Sequence, residues 1–206
     1  MECRSWLNDP TVLIVADASV VINLNATGCS GTILDALPNR CAVPEQVALE
    51  LEDGRRNGHN DADGLDELVA ACQVEIVRLS NHGLQHFRTL VLGPAAQTLD
   101  DGEAATIAYA LEQNAVALID ERKANRLCSE RFNALHIGCT VDVLMHAAIE
   151  ATLGRIGLAE AVFNALYNGR MRVPAHHVGW VVNLIGSERA EQCASLPRSV
   201  RRVEVL

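Results

Sequence analysis

The sequence predicts an α/β fold of three layers, α/β/α, in which a mainly parallel central sheet is covered by helices on both faces. Three observations predict it. Apolar runs of strand length alternate along the chain with longer segments of helical periodicity, a pattern that implies helical crossovers and parallel pairing. Two of the runs, residues 11–16 and 115–119, lack the polar alternation of a half-solvated strand and suit strands buried on both faces. No internal repeat, low-complexity tract or Pro/Ser-rich linker divides the 206 residues, a length that one core can fill.

The elements follow in order. The strand at 11–16 ends at Asp17. A helix at 19–25 stops near Gly28, and a short helix at 30–37 is ended by Pro38. Residues 40–43 form a short strand. Pro44 suits the first turn of the next helix, in which Val47 and Leu51 repeat apolar character to about Arg56. Residues 57–64 are polar and contain glycine, which predicts a loop. Residues 65–72 read as helix, 75–79 as strand and 82–92 as helix. The best-marked helix is 100–113: Asp100 is its N-cap, and Glu103 stands three residues on, as in a capping box. Ala104, Ile107, Ala108 and Leu111 form its apolar stripe. The strand at 115–119 ends at Asp120. A helix at 121–132, a strand at 135–139 and helices at 140–153, 158–167 and 174–185 complete the pattern. From Ser187 onward the chain is polar and basic and is expected to be peripheral. Arg198, Arg201 and Arg202 fall in a disordered tail that could touch RNA or an acidic partner, with one added strand at 203–206.

Composition removes several functions. Lys and Arg total 17 against 26 Asp and Glu, a formal net charge of −9. That argues against a protein that coats nucleic acid through its net field. It leaves room for a nucleic-acid enzyme whose positive charge is a bound divalent ion. At 3% aromatic content the chain has too few rings for a base-stacking platform. The seven cysteines, at 3, 29, 41, 72, 128, 139 and 193, include no Cys-x-x-Cys pair. Neither a zinc ribbon nor a thioredoxin motif is supported, and buried thiols in a reducing cytosol are expected. The histidines are no better as zinc ligands, because His176-His177 is the one cluster and adjacent positions point different ways. No run approaches the ~18 apolar residues of a membrane span. Glu2, Arg4 and Asp9 interrupt the first ten residues, where a secretory signal would be apolar. A soluble, cytoplasmic protein is expected.

The placement of acids is the informative feature. Asp17 follows one buried strand and Asp120 another. Ligands of open parallel sheets bind outside the carboxyl ends of the strands, and two carboxylates delivered there repel unless a cation separates them. Mg²⁺ or Mn²⁺ suits, because hard cations prefer oxygen ligands. The competing role for each Asp is a helix N-cap. Taken alone, Glu50 reads as a solvated helix face and Glu103 as a capping residue.

Together these residues resemble the motifs of PIN-domain nucleases. Asp17-Ala-Ser-Val-Val-Ile is similar to the first motif, an Asp closing strand one, then a small residue and Ser. Val43-Pro44-x-x-Val47-x-x-Glu50-Leu51 is similar to the second. Leu99-Asp100-Asp101-Gly102-Glu103-Ala104 resembles the third, and Leu118-Ile119-Asp120-Glu121-Arg122-Lys123-Ala124 the fourth. The resemblance covers residues 11–172, with a Gly-Arg-Met turn at 169–171, and leaves 173–206 as a helical extension and basic tail of unknown role. The chain departs from the pattern at Cys139-Thr140, where Gly-Thr is usual. It departs again at Asp142, where a small residue is common, and at Ala124-Asn125-Arg126, where Ala-Arg is more frequent.

The resemblance implies a three-layer nuclease fold that binds one or two divalent ions and cuts single-stranded RNA. It assigns Asp17, Glu50, Glu103 and Asp120 as catalytic metal ligands, with Asp101 and Glu121 as alternates, and Mg²⁺ (or Mn²⁺) as cofactor. Ser19 and Thr140 would orient a ligand, although capping explains Ser19 equally. Arg122, Lys123 and Arg126 would hold substrate phosphates, against the simpler role of a solvated face. The closest likeness is to a bacterial subgroup encoded beside small antitoxin-like proteins. An endoribonuclease toxin with an RNA substrate, a small antitoxin partner and a homodimeric state is therefore implied. The alternative is a catalytically silent RNA- or protein-binding module. A phosphatase of the haloacid dehalogenase type is disfavoured, since Ser19 stands where that class needs a second Asp. A nucleotide-binding sheet is disfavoured because no Gly-x-Gly-x-x-Gly or P-loop follows a strand.

Overall fold

The computed structural model describes residues 5–201. Five strands form one sheet: β1 (Ile14–Ala16), β2 (Cys41–Pro44), β3 (Val74–Val77), β4 (Val116–Leu118) and β5 (Ile137–Gly138). Their order is β3-β2-β1-β4-β5, and every pairing is parallel. The chain builds outward from β1 to β2 and β3, then returns to the other side of β1 for β4 and β5. The order therefore reverses between β1 and β4, and the crevice beyond their carboxyl ends is the expected ligand site of such a sheet. Asp17 and Asp120 are the acids that leave these two strands.

Twelve helices occupy the connections among the described residues. They are α1 (Ala18–Ala26), α2 (Ser30–Ala36), α3 (Glu45–Arg56), α4 (Asp61–Ala70), α5 (Asn81–Val91), α6 (Asp101–Gln113), α7 (Arg122–Arg131), α8 (Thr140–Leu144), α9 (Ala147–Tyr167), α10 (Val178–Ile185), α11 (Ser187–Gln192) and α12 (Arg198–Arg201). Period-two alternation divides the strands between two cores. Ile14, Ala16, Val116 and Leu118 pack with residues of α1, α2, α3, α4, α8 and α9. Val15, Ala117 and Ile119 pack with Leu90 of α5, Ala104, Ile107 and Ala110 of α6, and Ala124, Leu127 and Cys128 of α7. Helices thus cover both faces of a mainly apolar sheet, as the continuous apolar runs predict.

Several expectations need correction. The first strand is shorter than 11–16, beginning at Ile14, and Pro44 ends β2 and caps α3 rather than lying inside the helix. Part of the predicted loop 57–64 is helix, because α4 starts at Asp61. The single helix expected at 140–153 is two. His146 breaks it by acting as an N-cap, its Nδ1 accepting from the Ala148 amide at 3.3 Å. The second piece then continues through a bend at Gly154 (φ 67°) to Tyr167, joining the helix expected at 158–167. The segment after Ser187 is not peripheral throughout: Ala190, Cys193 and Leu196 are buried in the larger core. Arg198 and Arg201 lie in α12. Arg202 and the strand expected at 203–206 lie outside the described residues.

Candidate metal centre

Asp17 occupies the N-cap position of α1 with extended backbone (φ −81°, ψ 166°). Its amide donates to the Leu118 carbonyl of β4 at 3.2 Å, which anchors it at the reversal of strand order. The competing role as a helix cap finds no support: the carboxylate makes no capping hydrogen bond of normal geometry. Instead it is 3% exposed and accepts from the Ser19 hydroxyl at 2.9 Å. Burial pushes its pKa up to about 6, partly offset by Ser19. Asp120, two residues past β4, is also buried. It accepts from the Thr140 amide at 2.9 Å, the Thr140 hydroxyl at 2.5 Å and the Asn23 side-chain amide at 2.7 Å. Burial again raises its pKa, against these three donors. Ser19 and Thr140 therefore each hold one of the strand-end acids.

Glu50 of α3 and Glu103 of α6 reach the same place from the flanking helices. Glu50 meets Asp17 at Gly102, where a side chain is missing, and Glu103 is coupled to Asp17 through charge. A Cβ there would collide with Glu50 Oε2 and lie 3.5 Å from Asp17 Oδ1. Burial of its carboxyl, then the charges of Asp17, Asp100 and Asp101, push Glu50 up to about 7. Burial, then Asp100, Asp17 and Glu121, push Glu103 up to about 8. The charges that perturb Asp17, Glu50 and Glu103 are thus all carboxylates. Asp100 acts on all three while accepting the Glu103 amide at 3.0 Å as the N-cap of α6. The sequence predicts only the cap for Asp100, although its place between Leu99 and Asp101 in the third motif is a signal for more. Of the alternates, Asp101 is exposed at the start of α6, and Glu121 is paired with Arg172 at 2.7 Å.

The structure so brings Asp17, Glu50 and Glu103 into one electrostatic group. Asp120 stands on the neighbouring strand end with its own partners, and the charged group that perturbs it is Asp142. Oxygen donors alone, mutually repelling and partly desolvated, fit a hard divalent cation. Asp120 has three of about four acceptor sites filled, which leaves room for one further bond.

These shifts predict a pH dependence. The folded pKa values lie above the usual carboxylate range near ~4, so between that value and about 8 the folded protein binds more protons than the unfolded chain. The metal-free protein should lose stability as pH rises through this window, and added Mg²⁺ should restore more of it at pH 8 than at pH 6. Melts in EDTA and in Mg²⁺ across that range check this. A Mg²⁺ effect that shrinks with rising pH would contradict the assignment.

The predicted phosphate-binding residues separate. Arg122 lines a cleft of about 270 Å³ that also contains Asp120, Asn125 and Arg172. Lys123 is half-buried on α7, while the Arg126 guanidinium reaches the Ala96 carbonyl at 3.5 Å. Glu50 lines another cleft, of about 880 Å³, together with Arg170. A third cleft, between Trp6 and Phe132, lies at the amino ends of β4 and β5, away from these acids. Arg170 and Arg172 bracket the buried Met171, and one of them lines each acid-lined cleft. The sequence marked this turn without assigning its arginines a role.

A second group of potential ligands lies beside Asp120. Cys139, Asp142 and His177 each offer one donor atom, all within 4.8 Å of one another, and all three residues are buried. The Cys139 amide donates to Asp142 Oδ2 at 3.0 Å, and the thiol lies 3.3 Å from the same oxygen. His177 Nε2 lies 3.0 Å from Asp142 Oδ1. Spacing along the sequence speaks against the histidines as ligands, yet the fold brings His177 to Cys139 and Asp142, partners that spacing does not reveal.

A model of the family DUF3368, a PIN domain, matches residues 13–187. No curated protein and no solved structure matches the chain. The matched residues make up well over half of the chain and include the whole five-stranded sheet and the acids at its carboxyl edge. The chain belongs to the PIN-domain family.

Proposed function

We propose that this protein is a divalent-metal-dependent endoribonuclease that cuts single-stranded RNA and serves as the toxin of a toxin–antitoxin pair. The observation that carries the catalytic reading is the meeting of Asp17 and Glu50 over side-chain-free Gly102, within the field of Glu103 and one strand from Asp120. A silent binding module gives no reason to gather carboxyls whose charged forms the fold disfavours. The toxin role, the small antitoxin partner and the homodimer rest on the motif resemblance and go with a cytoplasmic site of action. No helix among the described residues is long and apolar enough to cross a membrane.

Asp17, Glu50, Glu103 and Asp120 would hold one or two Mg²⁺ or Mn²⁺ ions. When bound, such an ion acts as a Lewis acid on the phosphodiester and lowers the pKa of water. The protein's own part is positioning. Ser19 fixes the Asp17 carboxylate, while Thr140 and Asn23 fix that of Asp120, so neither acid needs to reorganise on binding. Arg170 in one cleft, and Arg122 and Arg172 in the other, would hold successive phosphates on either side of the acids. The Glu121–Arg172 pair would open as Arg172 turns to a phosphate.

Cleavage of a single-stranded RNA should need Mg²⁺ or Mn²⁺, stop in EDTA and return when the ion is added in excess. Undiminished cleavage in EDTA by scrupulously purified protein would overturn the mechanism. Tight RNA binding without any cleavage in Mn²⁺ would favour the silent module.

A further inference from the structure

We propose that Cys139, Asp142 and His177 form a second metal site, for Zn²⁺ or a similar borderline-soft ion, distinct from the carboxylate centre. The three residues come from three separate places. Cys139 directly follows β5, Asp142 is in the first turn of α8, and His177 ends a 3₁₀ turn (Ala175–His177) before α10. Folding brings a sulfur, an oxygen and a nitrogen donor within 4.8 Å of one another in a buried setting. The donor types decide the ion. Mg²⁺ takes oxygen ligands, whereas sulfur and imidazole together select Zn²⁺ and its neighbours. Three protein donors suit a tetrahedral ion with one position left for water.

One further observation supports a ligand site over a simple buried ion pair. Cys139 and Asp142 line the 270 Å³ cleft, which gives an ion a route to groups otherwise enclosed by packing. On binding, the Cys139 S–H bond is replaced by a sulfur–metal bond and the proton leaves to solvent. No oxidant or reductant is required. The occupied site would tie the start of α8 to the turn before α10. Thr140, the residue after Cys139, holds Asp120, so the ion would also stiffen one wall of the nuclease site.

The test uses Co²⁺ as a spectroscopic substitute on the full-length, reduced protein. The wild type should bind one equivalent with a thiolate-to-cobalt charge-transfer band, which Zn²⁺ removes by competition and excess Mg²⁺ does not. Cys139→Ser should lose the band. His177→Gln should weaken cobalt binding by at least ~10-fold, the smallest loss usual even for residues that only support a metal ligand. The double variant Asp17→Asn, Glu50→Gln should keep the band, which separates this site from the nuclease centre whatever becomes of the RNase activity. A folded wild type without the band would overturn the proposal. So would a band that survives Cys139→Ser, or one lost in the Asp17/Glu50 variant while that variant stays folded.

Discussion

Asp17→Asn should abolish RNA cleavage while leaving the metal-free protein as stable as the wild type or more so. A buried carboxylate usually protects a fold, because removing it strands a partner. Asp17 differs. It has no basic partner among its perturbing groups, and its interactions with the Ala18 and Ser19 amides fall short of a well-formed helix cap. Its one close side-chain donor, the Ser19 hydroxyl, can bond an amide oxygen as well as a carboxylate oxygen. The substitution removes a charge that burial has already driven to a pKa of about 6, and it relieves Glu50 and Glu103, whose pKa values Asp17 helps to raise. Metal response should move the opposite way. An ion that binds only the native state stabilises it by mass action, so the wild type should melt higher in Mg²⁺ and Asp17→Asn should gain much less. Paired melts with and without Mg²⁺, beside a cleavage assay on the same preparations, give both readouts. If the two proteins respond equally to Mg²⁺ and both cut RNA, Asp17 is not a metal ligand.

What the sequence makes legible follows the physics of each signal. β1 and β4 are readable because a strand buried on both faces must be apolar throughout, and an Asp directly follows the last apolar residue of each run. The start of α6 is readable because a cap is a local hydrogen bond between residues three apart. The start of α4 hides inside a polar stretch, since its first turn carries Asp61 and Asp63 and its buried face begins with only Ala62. The break before α9 hides because its cap is a histidine ring, outside the usual Ser, Thr, Asp and Asn signals. At the acid centre the motifs single out four carboxylates as one expected ligand set, but not the partners that hold them. Asp120 is satisfied by Thr140, 20 residues later, and by Asn23, 97 residues earlier. The Cys139–Asp142–His177 group is of the same kind. His177 is 35 residues from Asp142 and returns to it only after α9 has run its length.

Gly102→Ala should cost at least ~10-fold in cleavage, and up to ~100-fold if the displaced carboxylate moves by about 1 Å, with no loss of fold. In most helices a glycine is a weakness, and alanine gains roughly 0.5–1 kcal/mol at a tolerant position. Gly102 lies in the first turn of α6 and does not need a left-handed backbone, so that gain is open to it. The atoms nearest the added methyl belong to side chains. Its nearest neighbours are the carboxylate tip of Glu50, at closer than van der Waals distance, and Asp17 Oδ1 at 3.5 Å. Glu50 is an exposed residue with a flexible side chain, and it can swing its carboxylate aside at little expense. The fold therefore relaxes, and the change falls on the position of a metal ligand. The expected signature is a melting temperature equal to or above the wild type in EDTA, a smaller Mg²⁺-induced rise, and slow cleavage. A double-mutant cycle sharpens it. In a Glu50→Gln background, Gly102→Ala should add little further loss of activity, because the group it displaces is already disabled. Full wild-type cleavage by Gly102→Ala, or additive losses in the cycle, would show that Glu50 does not work at this glycine and would remove it from the ligand set.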